Sequence, residues 1–517
     1  LLLKDLNRLN ELELKEMKMA KFNTSNKGVN SIPNSENKEG FPAFERTDVK
    51  KEFVSIIMNS LLISDSYYET EQERMKNIES FFSEEDLDFK KFLAKAMVYV
   101  RNEGNLRSVS HLLAVLVAER FKGFSFTKRA FYKTLIRPDD ATEIVALWNQ
   151  RNPGKMIPNS LRKAIKMALE TKWDKYQLKK YFGNGSVKVS NLINISHPTP
   201  TTDEQRLMFK QALEGRLPSI QTAQTVNAGS EDRISAYKDM LKNNKLGYMA
   251  ALKNVKNILE AGPDRETIDL LVGLLGDENR ILKSRVLPFR FAQAYETVKR
   301  LDEVDPFFQK KVMNVIEEAF KISGKNLNLV NDGERVALLL DESASMGSGY
   351  VFSKSPFSLG KVMMASMISG LDKDNVIGYL WATTPRRVEI DSPMNFITNT
   401  YSKGGGTNLS SAVSELVKKS IFVDKLIIFT DMQENEIGTS WGGNGVSFND
   451  TMKEYRKINP KVKVLFWNLE GYGNGTPLKL NDNVLEVTGY SDRMLKIIPK
   501  IWNDKDALVK EIESIEL

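Results

Sequence analysis

The chain has 517 residues, more than a single hydrophobic core normally serves, so two or three domains are expected. It contains no cysteine, which excludes disulfides, thiolate nucleophiles and cysteine zinc sites and fits a cytoplasmic protein; its only histidines, His111 and His197, exclude an HExxH zinc site and leave a Ser-His-Asp triad one of two candidates. With 41% hydrophobic and 27% charged residues it reads as globular, and no stretch approaches the roughly 18 consecutive apolar residues of a membrane span.

The opening "LLLKDLNRLNELELKEMKMAKF" alternates charge with Leu at near-helical spacing, which predicts a helix rather than the unbroken apolar core of a secretory signal. Residues 23–40 are rich in Asn, Ser, Lys and Gly and read as a linker, so residues 1–43 form an N-terminal helix and tether. From 44 to 330 the grammar is helical. "KKFLAKAMVYVRNEG" and "SVSHLLAVLVAERFKG" place apolar residues at i, i+3 and i+4 and end in Gly. "NSLRKAIKMALETK", "TDEQRLMFKQALEG", "GYMAALKNVKNILEAG", "RETIDLLVGLLGD" and "SRVLPFRFAQAYETVKRL" continue it, joined by short Gly/Pro/Asn turns that favour antiparallel neighbours. The expected architecture is an array of irregular helical hairpins.

After "SGKNLNLVNDGE" the pattern changes, and residues 331–517 read as a second domain. "RVALLLDES", "NVIGYLWAT", "KLIIFTDM" and "KVKVLFWNL" are short apolar runs with helix-like stretches between them, which predicts a doubly wound α/β sheet with ligands at the carboxyl ends of its strands.

Charge is unevenly spread. The net is +7, yet Arg335 to Leu517 holds 21 Lys+Arg against 22 Asp+Glu, whereas Arg151 to Arg216 alone holds 13 against 5. A basic stripe confined to one segment is the electrostatic footprint of a polyanion partner, although a solvated set of helix faces has the same composition.

Three places in the α/β domain offer hard oxygen. Asp341, Ser343 and Ser345 alternate directly after an apolar strand, which in an extended chain points all three to one side. Thr407 sits in "GGGTNLSSA" ahead of a helix, and Asp431 ends the strand "LIIFTDM". Such oxygens suit Mg²⁺, or another divalent cation such as Mn²⁺ or Ca²⁺. Two carboxylates and three hydroxyls leave the ion electrophilic, and no general base is evident beside it, so the set reads as an adhesion site rather than a hydrolytic one. A two-metal nuclease would need more acidic ligands, and no GxxxxGK[ST] phosphate loop occurs. The chain is not expected to be an enzyme.

The set Asp341-x-Ser343-x-Ser345, Thr407 and Asp431 resembles the metal-ion-dependent adhesion site of von Willebrand factor A domains. In the helical half, "RSVSHLLAVLVAE", "NLINISHPTP", "YMAALKNVKNIL" and "SRVLPFRFAQAYETVK" resemble, in order, segments of the Ro ribonucleoproteins, whose TROVE module precedes such a domain. The resemblance spans roughly residues 44–470 and points to a bacterial or mobile-element orthologue. It implies a monomeric ring of HEAT-like helical hairpins closed by the A domain. It further implies binding of small noncoding Y-like RNA on a basic outer surface and of single-stranded 3′ ends of misfolded RNAs in a central hole, in RNA quality control, with an exoribonuclease or another protein docking at the A domain. Lys180 and His197 match positions that family uses for RNA; its neighbouring Arg is Asn184 here, and Lys179 or Lys188 is the nearest substitute. His197 has a second reading as a helix-end residue before Pro198, and His111, inside "HLLAVLVA", reads as packed or capping. The competing function is a metal-dependent protein-adhesion scaffold without RNA as its main ligand.

Overall fold

The structure, a computed structural model, describes residues 33–38, 40–45, 48–58, 70–182, 185–217, 223, 226–227, 232–286, 288–325, 333–347, 355–433, 446–471, 475–481, 483–489 and 498–517. The expected N-terminal helix, Asn184 and the segment 326–332 at the domain boundary lie outside them.

At the end of the stretch read as a linker, the first described residues are ordered into strands. Strands β1 (Ser35–Glu36) and β2 (Pro42–Ala43) form an antiparallel hairpin. Asn37 Oδ1 accepts the Phe41 N–H at 3.0 Å and Gly40 turns at φ +77°, a local turn chemistry that composition alone reads as loop. The hairpin docks on the C-terminal domain, where Phe44 and Thr476 exchange two backbone hydrogen bonds.

Helices then follow in two arcs. The first runs through α1 (Val49–Ile57), α2 (Glu71–Phe81), α3 (Leu87–Asn102), α4 (Arg107–Arg120), α5 (Phe126–Thr134), α6 (Pro138–Arg151), α7 (Asn159–Thr171), α8 (Lys175–Lys180), α9 (Val189–Ser196) and α10 (Asp203–Leu213). The second comprises α11 (Arg233–Lys242), α12 (Tyr248–Glu260), α13 (Arg265–Gly276), α14 (Glu278–Ser284), α15 (Pro288–Lys299) and α16 (Pro306–Lys325). Most pack on near neighbours in sequence, among them α3 on α4 and α5, α5 on α7, α12 on α15, and α15 on α16, as short turns between amphipathic helices require.

The helical module is pinned by a buried charge cluster. The Arg101 guanidinium forks onto Asp140 with two bonds of 2.9 Å, and the Ile136 and Arg137 N–H groups add two more. His111, read from sequence as packed or capping, is buried with Nε2 3.0 Å from Asp140 and Nδ1 3.0 Å from Glu143. Both ring nitrogens face carboxylates, so the ring is held as an imidazolium donating to both.

The C-terminal domain carries β3 (Val336–Asp341), β4 (Val376–Trp381), β5 (Pro385–Val388), β6 (Lys425–Thr430), β7 (Lys463–Asn468) and β8 (Val484–Thr488) in the order β5-β4-β3-β6-β7-β8, all pairs parallel except β4–β5. Its helices are α17 (Pro356–Gly370), α18 (Pro393–Asn399), α19 (Leu409–Lys418), α20 (Phe448–Ile458) and α21 (Ala507–Glu513). Alternate residues of β3 enter two cores: Val336, Leu338 and Leu340 pack with α17 and the helical module, whereas Ala337 and Leu339 pack with α19 and α20. The four strands expected from apolar runs are β3, β4, β6 and β7. Strands β5 and β8 escaped sequence reading because "PRRV" and "VLEVT" are short and carry charge, as edge strands do.

This domain touches both helical arcs. Helix α17 packs on α15 and α16, where Gly324 brings its backbone so close that a Cβ would strike the Ser366 carbonyl at 2.5 Å. At the other end, β8 and α21 pack on α1, and α21 also on α3. Lys51 pairs with Asp506 at 2.5 Å and Tyr99 donates to Glu511 at 3.1 Å. Arg74 meets Glu470 at 3.5 Å with both side chains buried, a pairing that offsets the cost of desolvating each charge. Gly489, at φ +101°, runs against the Met58 carbonyl and hands its own carbonyl to Trp467 Nε1 at 2.8 Å.

These contacts make two predictions about stability. Gly489→Ala places a Cβ in the left-handed region and onto the Met58 backbone, and should lower the unfolding free energy by at least about 1–2 kcal/mol; an unchanged urea midpoint refutes the close approach. For His111, burial alone would depress the imidazole pKa, but the hydrogen bonds to Asp140 and Glu143 outweigh it and hold the ring above its ordinary value. Stability from this raised pKa is fully present below the unfolded value of about 6.5 and is lost as pH rises through the folded one. His111→Gln should therefore cost about 2 kcal/mol at pH 6 and abolish that alkaline component. Urea unfolding of both proteins at pH 6 and pH 9 measures it, and parallel pH profiles exclude the imidazolium.

Candidate metal centre and nucleic-acid interface

The sheet reverses its winding between β3 and β6, and the crevice at the carboxyl ends of those neighbouring strands is where ligands of open α/β sheets sit. Asp341 is the last residue of β3 and Asp431 follows β6 directly; both are fully buried. Thr430 Oγ1 donates to Asp341 Oδ2 at 2.8 Å and the Ser343 N–H to Asp341 Oδ1 at 2.8 Å. The Gln433 N–H donates to Asp431 Oδ1 at 3.1 Å.

Ser343 and Ser345 converge, but not through an extended chain. Ser343 is extended and residues Ala344–Met346 then close a single 3-10 turn, which leaves the two hydroxyls 3.2 Å apart. Gly347 at φ +80° makes the exit possible, since a Cβ there would meet Ser355 Cβ at 2.7 Å. The loop bearing Thr407 is laid over the same sheet end. Gly405 accepts the Ala344 N–H at 3.1 Å, the Asn408 N–H bonds Ala382 O at 3.0 Å, and Thr407 is buried. All five residues expected at the site thus stand at one end of the sheet.

Three participants were not legible in sequence. Thr430 orients Asp341 across the strand pair. Glu342, buried beside Asp341, is neutralised by the Arg386 fork (2.9 and 2.6 Å), so this third carboxylate is engaged elsewhere. Gln433 donates to the Asp431 carbonyl at 3.2 Å and accepts the Lys38 N–H at 2.7 Å, which ties the N-terminal hairpin to the loop after β6. Only the apposition of distant segments reveals these links.

Electrostatics fit a cation. Burial, and then the charge of Asp431, push the Asp341 carboxyl well above the usual carboxylate range, against the partial relief of its bonds from Ser343 and Thr430. A hard divalent ion taking oxygens from Asp341, Ser343, Ser345, Thr407 and Asp431 would offset that repulsion, and the donor set is all oxygen. A carboxyl raised in the fold weakens stability as pH rises above the unfolded value of about 3.9. Metal-free protein should therefore lose stability above that pH, and Mg²⁺ should restore it. Asp341→Asn should abolish the Mg²⁺-induced rise in melting temperature while leaving metal-free protein at pH 8 no less stable. A variant that keeps the Mg²⁺ response removes Asp341 from the site.

The residues expected to meet RNA lie on α8 and α9. Asp174 caps α8 by accepting the Gln177 N–H at 2.7 Å, and the helix ends in Lys179 and exposed Lys180. Lys188 is the N-cap of α9; His197 closes that helix at φ +49° with its N–H on Ile193 O at 2.9 Å and its ring exposed. His197 therefore does cap the helix, through its backbone, and this leaves the imidazole available. Lys188 and His197 stand at opposite ends of α9, about 13 Å apart along the axis, so they serve separate contacts.

Pairing separates structural cations from available ones. Arg151 bonds Glu79 and Glu119, Lys175 meets Glu204 at 3.2 Å, and Arg206 meets Asp203 at 3.0 Å. Among the described residues, Lys155, Lys163, Lys179, Lys180, Lys188 and Lys210 have no carboxylate within salt-bridge reach. The segment's excess charge is thus largely uncompensated.

Comparison with known proteins places these features in a context. The TROVE domain family matches residues 216–321, and a family described as a domain of unknown function (DUF7788) matches residues 405–513. Telomerase protein component 1 of Rattus norvegicus is 34% identical over 71 residues, and that of Mus musculus 31% over 71. Each match takes in 14% of this chain and 3% of the curated relative's length. The crystal structure of the Deinococcus radiodurans RO (RSR) protein superposes with a TM-score of 0.55 at 14% identity, covering 87% of this chain and 100% of that one, which establishes a shared fold.

Proposed function

We propose that the chain, whose residues 216–321 match the TROVE domain family and whose fold is shared with a Ro protein, is a non-enzymatic RNA-binding protein of the Ro ribonucleoprotein type. The observation that carries this reading is the uncompensated basic segment within 151–216, a surface that suits a phosphate backbone and gives salt-dependent affinity. Its ligands in this reading are a small noncoding Y-like RNA, contacted by Lys179, Lys180, Lys188 and His197, and single-stranded 3′ ends of misfolded RNAs, in an RNA quality-control role in the cytoplasm. The α/β domain acts as a von Willebrand factor A domain. Asp341, Ser343, Ser345, Thr407 and Asp431 hold Mg²⁺, and the ion supplies an electrophilic point for an acidic group of a docking protein such as an exoribonuclease. The burial of the two aspartates at the strand-end crevice favours this second activity independently of RNA.

Titration of a labelled stem-loop RNA with a single-stranded tail tests the reading. Lys180→Ala with His197→Ala should weaken binding and flatten the dependence of log affinity on log salt by about 0.7–0.9 for each phosphate that is no longer neutralised. Equal affinities and slopes would falsify the assignment of these residues. Asp341→Asn should leave RNA affinity essentially unchanged, because cations dominate the interaction with phosphate; absence of RNA binding by the wild type would leave the adhesion scaffold as the surviving function.

A further inference from the structure

Within the basic segment, aromatic rings and cations interleave. Lys180 Nζ lies 5.8 Å from the Tyr176 ring centroid and 5.6 Å from that of Tyr181, and the Arg137 guanidinium lies 5.5 Å from Tyr181. Contacts of this kind arise about once per 70–80 residues, so three within reach of residues 176–181 are a concentration rather than a scatter. Tyr181 and Arg137 anchor one end of the ladder, Arg137 being tied to Asp139 at 3.3 Å. Tyr176 is the outer end, 56% exposed.

Other large side chains of this protein are equally exposed, Phe307 and Met156 among them; what sets Tyr176 apart is that its open ring stands beside a lysine with no acidic partner among the described residues, the combination on which an unpaired base and its phosphate can be held. The neighbouring charges are arranged for an anion. Lys175 is occupied by Glu204, and Asp174 turns its carboxylate onto the Gln177 N–H at the start of the helix. Lys179 and Lys180 remain at its end without an acidic partner among the described residues. The two rings restrict where the Lys180 ammonium sits, so a phosphate bound there loses less side-chain entropy.

We propose that Tyr176 is a stacking platform for an unpaired base of single-stranded RNA, with Lys180 holding the adjoining phosphate. Proteins that bind single strands join a basic track to exposed rings because every base offers a π-face, and duplex bases, already stacked, cannot use such a ring. This inference rests on the RNA reading above and adds to it the strandedness of the ligand at α8 and a residue, Tyr176, that no charge pattern identifies.

The test compares a labelled oligoadenylate of about 12 nucleotides with a blunt RNA duplex of the same length, by fluorescence anisotropy over a range of salt. Tyr176→Ala should weaken the single strand at least about fivefold without altering its salt slope, and leave the duplex within about twofold. Tyr176→Phe should bind as the wild type does. Tyr176→Leu, which keeps apolar bulk but no ring, should behave as the alanine variant and so separates a loss of stacking from a loss of folding. Lys180→Ala should reduce the slope for the single strand by about 0.7. Single-strand binding by Tyr176→Ala and Tyr176→Leu within about twofold of wild type, or equal losses on both probes, overturns the platform while leaving RNA binding intact. Failure of the wild type to bind either RNA overturns the RNA reading itself.

Discussion

The structure depends on a closure: the first described residues and the last domain meet, backbone against backbone. Phe44 and Thr476 pair as strands, Gly475 leaves no room for a side chain beside the Phe44 carbonyl, and Gly489 lies on the carbonyl of Met58. Contacts this close need glycine on one side, since any Cβ would force the segments apart. At the far end, Gly324 does the same between α16 and α17. The C-terminal domain thereby touches both helical arcs, and the polypeptide runs through a circuit rather than an open row of helices. Ends that would otherwise fray hold one another in register.

That closure also governs the candidate metal centre. The crevice arises from the reversal of winding between β3 and β6, but the loop behind Asp431 is braced from outside the domain, by Lys38 of the hairpin on Gln433. Burial of two carboxylates in one crevice is costly, and proteins keep such arrangements where charge will be met by charge. Glu342 makes the contrast clear: one residue from Asp341, it has its own Arg386 fork and needs no ion. The strand-end crevice and the closure of the chain are therefore mechanically adjacent.

The helical module shows a similar division between charges used for folding and charges left open. Arg101, Asp140 and His111 consume one another inside the array, and Glu143 meets the His111 ring from the surface. Along α8 and α9 several lysines are unanswered, and the exposed ring of Tyr176 stands among them. Salt-dependent attraction and a ring for stacking are separate physical contributions, one long-ranged and indifferent to base, the other short-ranged and confined to unpaired bases. Their juxtaposition on one short helix is the basis of the single-strand site proposed for α8.

Much of this was legible in the linear chain. Apolar periodicity located most helices and the four inner strands, because a buried face must repeat at 3.6 or 2 residues wherever it occurs. That Asp341, Ser343, Ser345, Thr407 and Asp431 share one end of the sheet could be read ahead of the fold, because the carboxyl ends of parallel strands are where polar residues have a reason to interrupt apolar runs. The β1–β2 hairpin was not legible, since Asn- and Ser-rich composition describes a turn and a tether alike; nor were β5 and β8, whose edge positions tolerate charge. Thr430 on Asp341, Arg386 on Glu342, Gln433 on Lys38 and the imidazolium form of His111 depend on pairs of groups separated by tens or hundreds of residues. The sequence by itself determined the two kinds of layer, the oxygen-bearing residues at the strand ends and the location of the excess charge, all properties of residues near one another in the chain. Only the tertiary structure decided which charges are spent, which ring stays open and where the chain closes, because a hydrogen bond or an ion pair exists only once both partners are brought within about 3 Å.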